Sequence, residues 1–188
     1  MARILTALTL MVWFAWPGHA APITYALDPE RSTISFTYMF GADPITGSFP
    51  DFSADIAIDF DNPPASQVSA TIATETARGG FPFASQALRS ARMLDADAFP
   101  NIHFISTGVT GQGNTAILDG ELTLRGVTRQ VTLTAQLFRD PDSPVDERRD
   151  LSIVITGSFD RHAFGVSGWR DEVGATLDIE IRARILAR

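Results

Sequence analysis

Val173-Gly174-Ala175-Thr176-Leu177-Asp178-Ile179-Glu180-Ile181-Arg182-Ala183-Arg184-Ile185 is the stretch that decides the fold class. Its odd positions are all apolar and its even ones are Gly, Thr, Asp, Glu and Arg, the alternation of a strand with one buried and one wetted face. Working back along the chain, Leu151, Ile153, Ile155 and Phe159 share one parity, and Val131, Leu133, Ala135 and Leu137 alternate with Thr132, Thr134, Gln136 and Phe138. Ala116, Leu118, Gly120, Leu122 and Leu124 form another strand, which Arg125-Gly126 turns back into the one starting at Val127. Gly111-Gln112-Gly113-Asn114 is a comparable turn after the strand at 102–110, in which either Ile102 and Phe104 or His103 and Ile105 face inward. Nearer the start, Ile34, Phe36, Tyr38 and Phe40 alternate with Thr33, Ser35, Thr37 and Met39. Phe52, Ala54, Ile56 and Ile58 repeat the pattern, and Val68, Ala70 and Ile72 continue it. About eight strands at hairpin spacing predict an all-β antiparallel meander closed into a barrel, because an open sheet that wide would expose two edges.

Residues 75–100 break the rhythm. Ser85-Gln86-Ala87-Leu88-Arg89-Ser90-Ala91-Arg92-Met93-Leu94 reads as a short helix, and Asp95-Ala96-Asp97-Ala98-Phe99 as a further helical turn ended by Pro100. An insertion carrying Phe81, Phe83, Leu88, Met93 and Leu94 must bury an apolar face, and the place for it is across one mouth of the barrel. Residues 139–150 are charged and broken by Pro141 and Pro144, a solvated connection.

The first twenty residues are expected to be a signal peptide. Arg3 supplies a positive start, residues 4–16 carry no charge, and Gly18 and Ala20 place small residues at the −3 and −1 positions of a cleavage site. Thirteen residues are too few to span ~30 Å of hydrocarbon. Residues 21–188 then form one soluble domain exported to the periplasm, and no later apolar stretch is long enough for stable membrane insertion.

Composition narrows the chemistry by exclusion. The 188 residues include no Cys, so disulfides, thiolate metal sites and a Cys nucleophile are out. All 15 basic residues are Arg, which removes Schiff-base chemistry and a P-loop Lys. A formal charge of −7 argues against nucleic acid as a partner. Gly165-Val166-Ser167-Gly168 has the wrong spacing for a nucleophile elbow, and Gly111-Gln112-Gly113 sits in a hairpin rather than before a helix. His103 and His162, with Asp95 or Asp160, match no metal-ligand spacing. No catalytic residue and no cofactor emerge, and the chain reads as a non-enzyme. What stands out is apolar capacity: 13 Phe, which either fill the barrel or line a tube for one slender ligand.

Several ordered motifs resemble the YceI-like family of periplasmic polyisoprenoid-binding proteins. They are the Asp28-Pro29-Glu30-Arg31-Ser32 opening, Gly47-Ser48-Phe49-Pro50-Asp51-Phe52, and the run from Leu88-Arg89-Ser90 through Phe99-Pro100-Asn101-Ile102-His103-Phe104. Gly120-Glu121-Leu122-Thr123-Leu124-Arg125-Gly126 and Asp160-Arg161-His162-Ala163-Phe164-Gly165 follow. The resemblance implies an extended lipocalin-like barrel that carries or sequesters a long-chain isoprenoid, such as a polyprenyl lipid or quinone, in an apolar tunnel. Phe36, Tyr38, Phe40, Phe52, Ile56, Phe81, Phe83, Leu88, Met93, Leu94, Phe104 and Trp169 are then the expected lining. Arg89, Arg92 and Arg161 are candidates for an anionic head group, since a guanidinium fork suits phosphate or carboxylate; the alternative for each is a structural ion pair or loop brace. Phe40 stands where the family commonly has a His, and Phe83-Ala84-Ser85-Gln86-Ala87-Leu88 where it has Arg-Asp-x-His-Leu, so no head-group preference carries over. An enzyme working on a lipid in the same cavity and a solid-cored interaction module stay open as alternatives, as does a homodimer, for which no surface stands out.

Overall fold

Alternating sequence becomes a closed sheet because every strand but one, Asp43–Phe49, finds a strand partner on both sides, and the free edge of that strand meets Arg78 through an isolated bridge at Ser48. The computed structural model describes residues 21–139, 142, 144 and 147–188; the expected signal peptide lies outside these residues, as do Asp140, Pro141, Ser143, Val145 and Asp146 of the charged loop. Nine strand segments run in chain order: β1 (Ile23–Phe40), β2 (Asp43–Phe49), β3 (Phe52–Ile58), β4 (Gln67–Ala73), β5 (Asn101–Gln112), β6 (Thr115–Leu124), β7 (Val127–Phe138), β8 (Asp150–Asp160) and β9 (Thr176–Ala187). From β3 to β9 each pairs antiparallel with the next, and β1 pairs with β9 from Tyr25↔Ala187 to Thr37↔Asp178, which closes the barrel.

Nine segments occupy eight positions around the circumference. The outer half of β1 pairs with β2 (Ile34↔Phe49 to Phe40↔Asp43) and its inner end with β3 (Ile23↔Ile58 to Tyr25↔Ile56). β2 and β3 are one line of chain interrupted at Pro50-Asp51, where proline has no N–H for the ladder. The barrel is therefore eight-stranded and lipocalin-like. β1 also slips register against β9 between Asp28 and Thr33. There the Asp28 carboxylate accepts from the Glu30 and Arg31 backbone N–H groups and from Arg31 Nε at 2.6 Å, while Ser32 Oγ donates to the Asp28 carbonyl at 2.6 Å. The Arg31 contact holds the Asp28 carboxyl below its ordinary pKa.

At the β6–β7 turn Arg125 (φ 52°) and Gly126 (φ 73°) are both left-handed, as a two-residue hairpin that follows strand twist requires. Arg125 tolerates this because its guanidinium is anchored, donating to the carbonyls of Ala91 (2.7 Å), Met93 (3.0 Å) and Gly165 (3.1 Å). The hairpin thus clamps the insertion onto the barrel end.

The insertion itself differs from the sequence reading. Its helix, α1 (Pro82–Arg89), starts three residues earlier than expected, with proline in the first turn where a missing N–H costs nothing. It stops at Arg89 because Ser90 is extended (ψ 163°). Residues 91–94 and 96–98 are turns, and Asp95 (φ 53°) breaks what the sequence suggested as a second helical turn. In β5 the inward face is Ile102 and Phe104, both buried, whereas Ile105 is 57% exposed. Among the described residues every strand, α1 and all three apolar clusters lie within residues 23–187, so the portion from Ala21 onward carries a closed sheet and core.

Candidate functional site

The inward side chains do not fill the barrel. Along its axis runs a cavity of about 390 Å³, within the ~300–1,000 Å³ typical of small-molecule sites. One end is bounded by Leu27, Ile56, Ile155 and Ala183, next to the cluster of Tyr25, Leu151 and Ile185. The other reaches Phe40, Phe81, Phe83 and Trp169, all partly exposed, with Phe83 83% exposed. β1 spans the whole length, from Leu27 at the inner end to Phe40 at the mouth.

All twelve apolar residues singled out from the sequence border this cavity. Phe36, Tyr38 and Phe40 come from β1, Phe52 and Ile56 from β3, and Phe104 from β5. Phe81 precedes α1, Phe83 and Leu88 lie on it, Met93 and Leu94 follow it, and Trp169 comes from the loop before β9. Rings line the wall as linked pairs: Phe36 lies 6.1 Å from Tyr38 and 5.1 Å from Phe49, and Phe40 meets Phe81 edge-on at 6.5 Å. The sequence reading left out Ile34, Phe49, Val68, Leu122, Leu133 and Ile179, which also line the cavity. Apart from Phe49 they share the inward parity of strands already read, so the signal was present and unused.

Polar groups on the lining are few, and Tyr38 and Arg161 are already committed. The Tyr38 hydroxyl donates to the Gly79 carbonyl at 2.9 Å, and burial raises its pKa. Arg161, in a 3-10 turn (Arg161–Phe164), is 0% exposed. Its Nε donates to the Gly174 carbonyl (2.8 Å), Nη1 to those of Val166 (2.8 Å) and Gly168 (2.9 Å), and Nη2 to that of Val173 (2.7 Å). Four of its five N–H hydrogens are thus engaged by one loop, residues 166–174, and burial lowers its pKa from the ordinary arginine value. Among the described residues Arg89 reaches only the Ala77 carbonyl, at 3.5 Å. Arg92 is exposed and sits 5.9 Å above the Trp169 ring. His103 Nδ1 is 3.3 Å from the Thr71 hydroxyl on the outer wall, and His162 Nδ1 is 3.9 Å from the Asp160 carboxylate. What the site can do chemically is bury hydrocarbon.

A family model described as the YceI-like domain matches residues 25–185. Protein YceI of Salmonella arizonae is 33% identical over 152 residues, covering 79% of this chain and 80% of its own, and Protein YceI of Salmonella enteritidis PT4 matches with the same figures. Among solved structures, BcnA of Burkholderia cenocepacia superposes with a TM-score of 0.76 at 21% identity, covering 84% of this chain and 98% of that one. A polyisoprenoid binding domain from Saccharophagus degradans, implicated in plant cell wall breakdown, superposes with a TM-score of 0.66 at 10% identity over 88% and 99%. At those identities the two structural likenesses speak to the fold.

Proposed function

The chain belongs to the YceI-like family, and from that membership and the apolar tunnel we propose that it is a periplasmic binding protein that carries or sequesters a long-chain isoprenoid or similar amphiphile. The observation that carries the proposal is the continuous apolar cavity of about 390 Å³. Protein interiors are close-packed, with few voids larger than a water molecule. A void of this kind forfeits the dispersion contacts that its lining would otherwise make. A hydrocarbon chain offsets that cost, because each buried CH₂ contributes ~0.8 kcal/mol, or ~4 kcal/mol for a five-carbon isoprene unit. The polyisoprenoid-binding description of the Saccharophagus degradans domain supports the same ligand class, and the signal-like residues 1–20 support export.

In this reading the tail lies against Phe36, Phe52, Phe104 and their neighbours, and the head group stays at the mouth near Arg89 and Arg92. Arg161, engaged by carbonyls, is assigned to holding the mouth in shape. The test is native mass spectrometry of the protein taken from its own periplasm, with organic extraction, followed by a binding series of prenyl alcohols of increasing length. A co-purifying amphiphile, and affinity that climbs with each isoprene unit until the tunnel is full, are expected. A protein that is empty and takes up no prenyl lipid refutes the proposal, and conversion of a bound lipid without an added partner makes the protein an enzyme instead.

A further inference from the structure

We propose that the open end of the barrel is a docking face for a zwitterionic lipid surface, on which the mouth rests while an amphiphile passes between membrane and tunnel. The purpose of such docking rests on the carrier reading above; its physical basis is separate. Five of the large exposed apolar side chains, Met39, Phe40, Phe81, Phe83 and Trp169, gather at this one end, whereas Ile105, Ile117 and Phe138 lie on the outer faces of three different strands. Phe40, Phe81, Phe83 and Trp169 border the mouth of the cavity, and Met39 adjoins Phe40 on the opposite face of β1. Phe40 and Phe81 are in ring contact, the Met39 carbonyl accepts from Gly174 N–H at 2.8 Å, and Gly41 N–H donates to the Glu172 carbonyl at 2.8 Å. Those two bonds bind the tip of β1 to the loop that carries Trp169. Exposed apolar side chains gathered at one end of a domain are the feature that marks an interaction surface.

The residue types and charges select the occupant. Trp and Phe bearing a nearby Arg are the combination that settles at a membrane–water interface, with the ring in the acyl boundary and the guanidinium turned up to phosphate. Arg92 over Trp169 has that arrangement. Among the described residues Arg78, Arg89, Arg92 and Arg170 form no ion pair. Asp43, Asp171 and Glu172 flank the same rim and are likewise unpaired, so the face is mixed in sign within a chain of net charge −7. An anionic surface would repel the whole molecule, whereas phosphocholine head groups offer both signs at once. Insertion is shallow, ~5–10 Å, as for other monotopic contacts.

The test uses residues 21–188, cargo-free, with phosphatidylcholine vesicles. Trp169 is the single tryptophan of that portion, so its emission reports the rim directly. The expected results are co-flotation with the vesicles, a blue shift of Trp169 and its quenching by brominated acyl chains. Phe83→Glu, whose side chain is exposed and whose fold is checked by thermal melting, lowers the partition coefficient at least ~10-fold. Ile105→Glu on the outer wall leaves it unchanged, and raising salt to ~0.5 M changes it less than ~2-fold. Absence of co-flotation, an unmoved Trp169 spectrum, or an equal loss from Ile105→Glu overturns the proposal. Binding that appears only when the vesicles contain membrane proteins also overturns it and assigns the face to a protein partner. Uptake of a prenyl alcohol from detergent is measured in parallel. If uptake is intact while vesicles are ignored, docking alone fails; if vesicles bind but nothing is taken up, the carrier reading alone fails.

Discussion

Replacing Arg161 with Met tests whether the tunnel mouth is held by one side chain. Met approximates the buried volume but removes every donor, leaving the carbonyls of Val166, Gly168, Val173 and Gly174 without their shared partner. Hydrogen bonds to a charged group contribute ~1.5–3 kcal/mol each, yet the native state also bears several kcal/mol for keeping a guanidinium out of water. The two oppose each other: the charge leaves with the side chain, so the cost is ~1–3 kcal/mol for each carbonyl left unpaired less the several kcal/mol no longer spent on burying the guanidinium, on balance ~3–5 kcal/mol. In a domain of this length each kcal/mol shifts Tm by ~2–4 °C, so Arg161→Met should lower Tm by roughly 10–15 °C in a circular-dichroism melt. Arg161→Lys should recover less than half of that, because one ammonium cannot reach four carbonyls spread over nine residues. Prenyl-alcohol affinity, read well below the melting range, should fall only modestly. A stability loss under ~1 kcal/mol refutes the brace. If stability holds while affinity for an anionic prenyl lipid collapses, the guanidinium is a head-group contact after all.

Three further outcomes follow from the same fold. The Tyr25 hydroxyl donates to the Arg148 carbonyl at 2.6 Å, and burial pushes its pKa up to about 12 from 10.0. The folded state therefore keeps a proton that the unfolded state releases near pH 10. The Tyr25 contribution should be constant below pH 9 and fall by about 2–3 kcal/mol as pH rises through 10 to 12. Denaturant titrations should show that limb flattened in Tyr25→Phe, and an unchanged limb would refute the assignment. Leu27→Trp fills the inner end of the tunnel, so affinity for long prenyl alcohols should drop more than ~10-fold while that for short ones stays put; an equal loss at all lengths would refute the tunnel's direction. At Gly120 a Cβ would overlap the Phe104 ring, so Gly120→Ala should cost ~1–3 kcal/mol by overpacking and also reduce ligand uptake. Unaltered uptake would mean that Phe104 does not bound the occupied space.

Outside β2 and β5, alternation was enough to read which side of a strand faces inward, because period two leaves no freedom once one face is buried. Leu177, Ile179 and Ile181 line the tunnel as their spacing requires. β2 escaped notice since Asp43, Pro44 and Gly47 dilute its pattern, and its partnership with β1 rather than β4 depends on the break at Pro50. The helix start was marked by Pro82 but obscured by the Gly79-Gly80 that precedes it. In β5 both parities carry an isoleucine and an aromatic or imidazole ring, and only closure of the barrel chooses between them. Arg161 was visible as part of a motif, but its role depends on four carbonyls converging from residues 166–174, which no spacing rule conveys.

Inward parity alone does not distinguish a filled barrel from a hollow one, since the same Leu, Ile and Phe could meet across the axis. Glycines on the inward face make the difference. At Gly47 and Gly120 a Cβ would collide with the rings of Phe36 and Phe104, and at Gly157 with the Leu133 side chain. Each large side chain lies flat over a neighbouring strand, in a notch that exists because the residue beneath it has no side chain. Volume that would otherwise project toward the axis is taken up by the wall, and a dispersion contact with backbone replaces one across the barrel. Phe36, Phe104 and Leu133 consequently belong to the main apolar cluster and to the tunnel lining at once. The core remains well packed laterally while its centre stays open, so the cost of the void falls on the axis, where a slender apolar tail can occupy it without rearranging the wall.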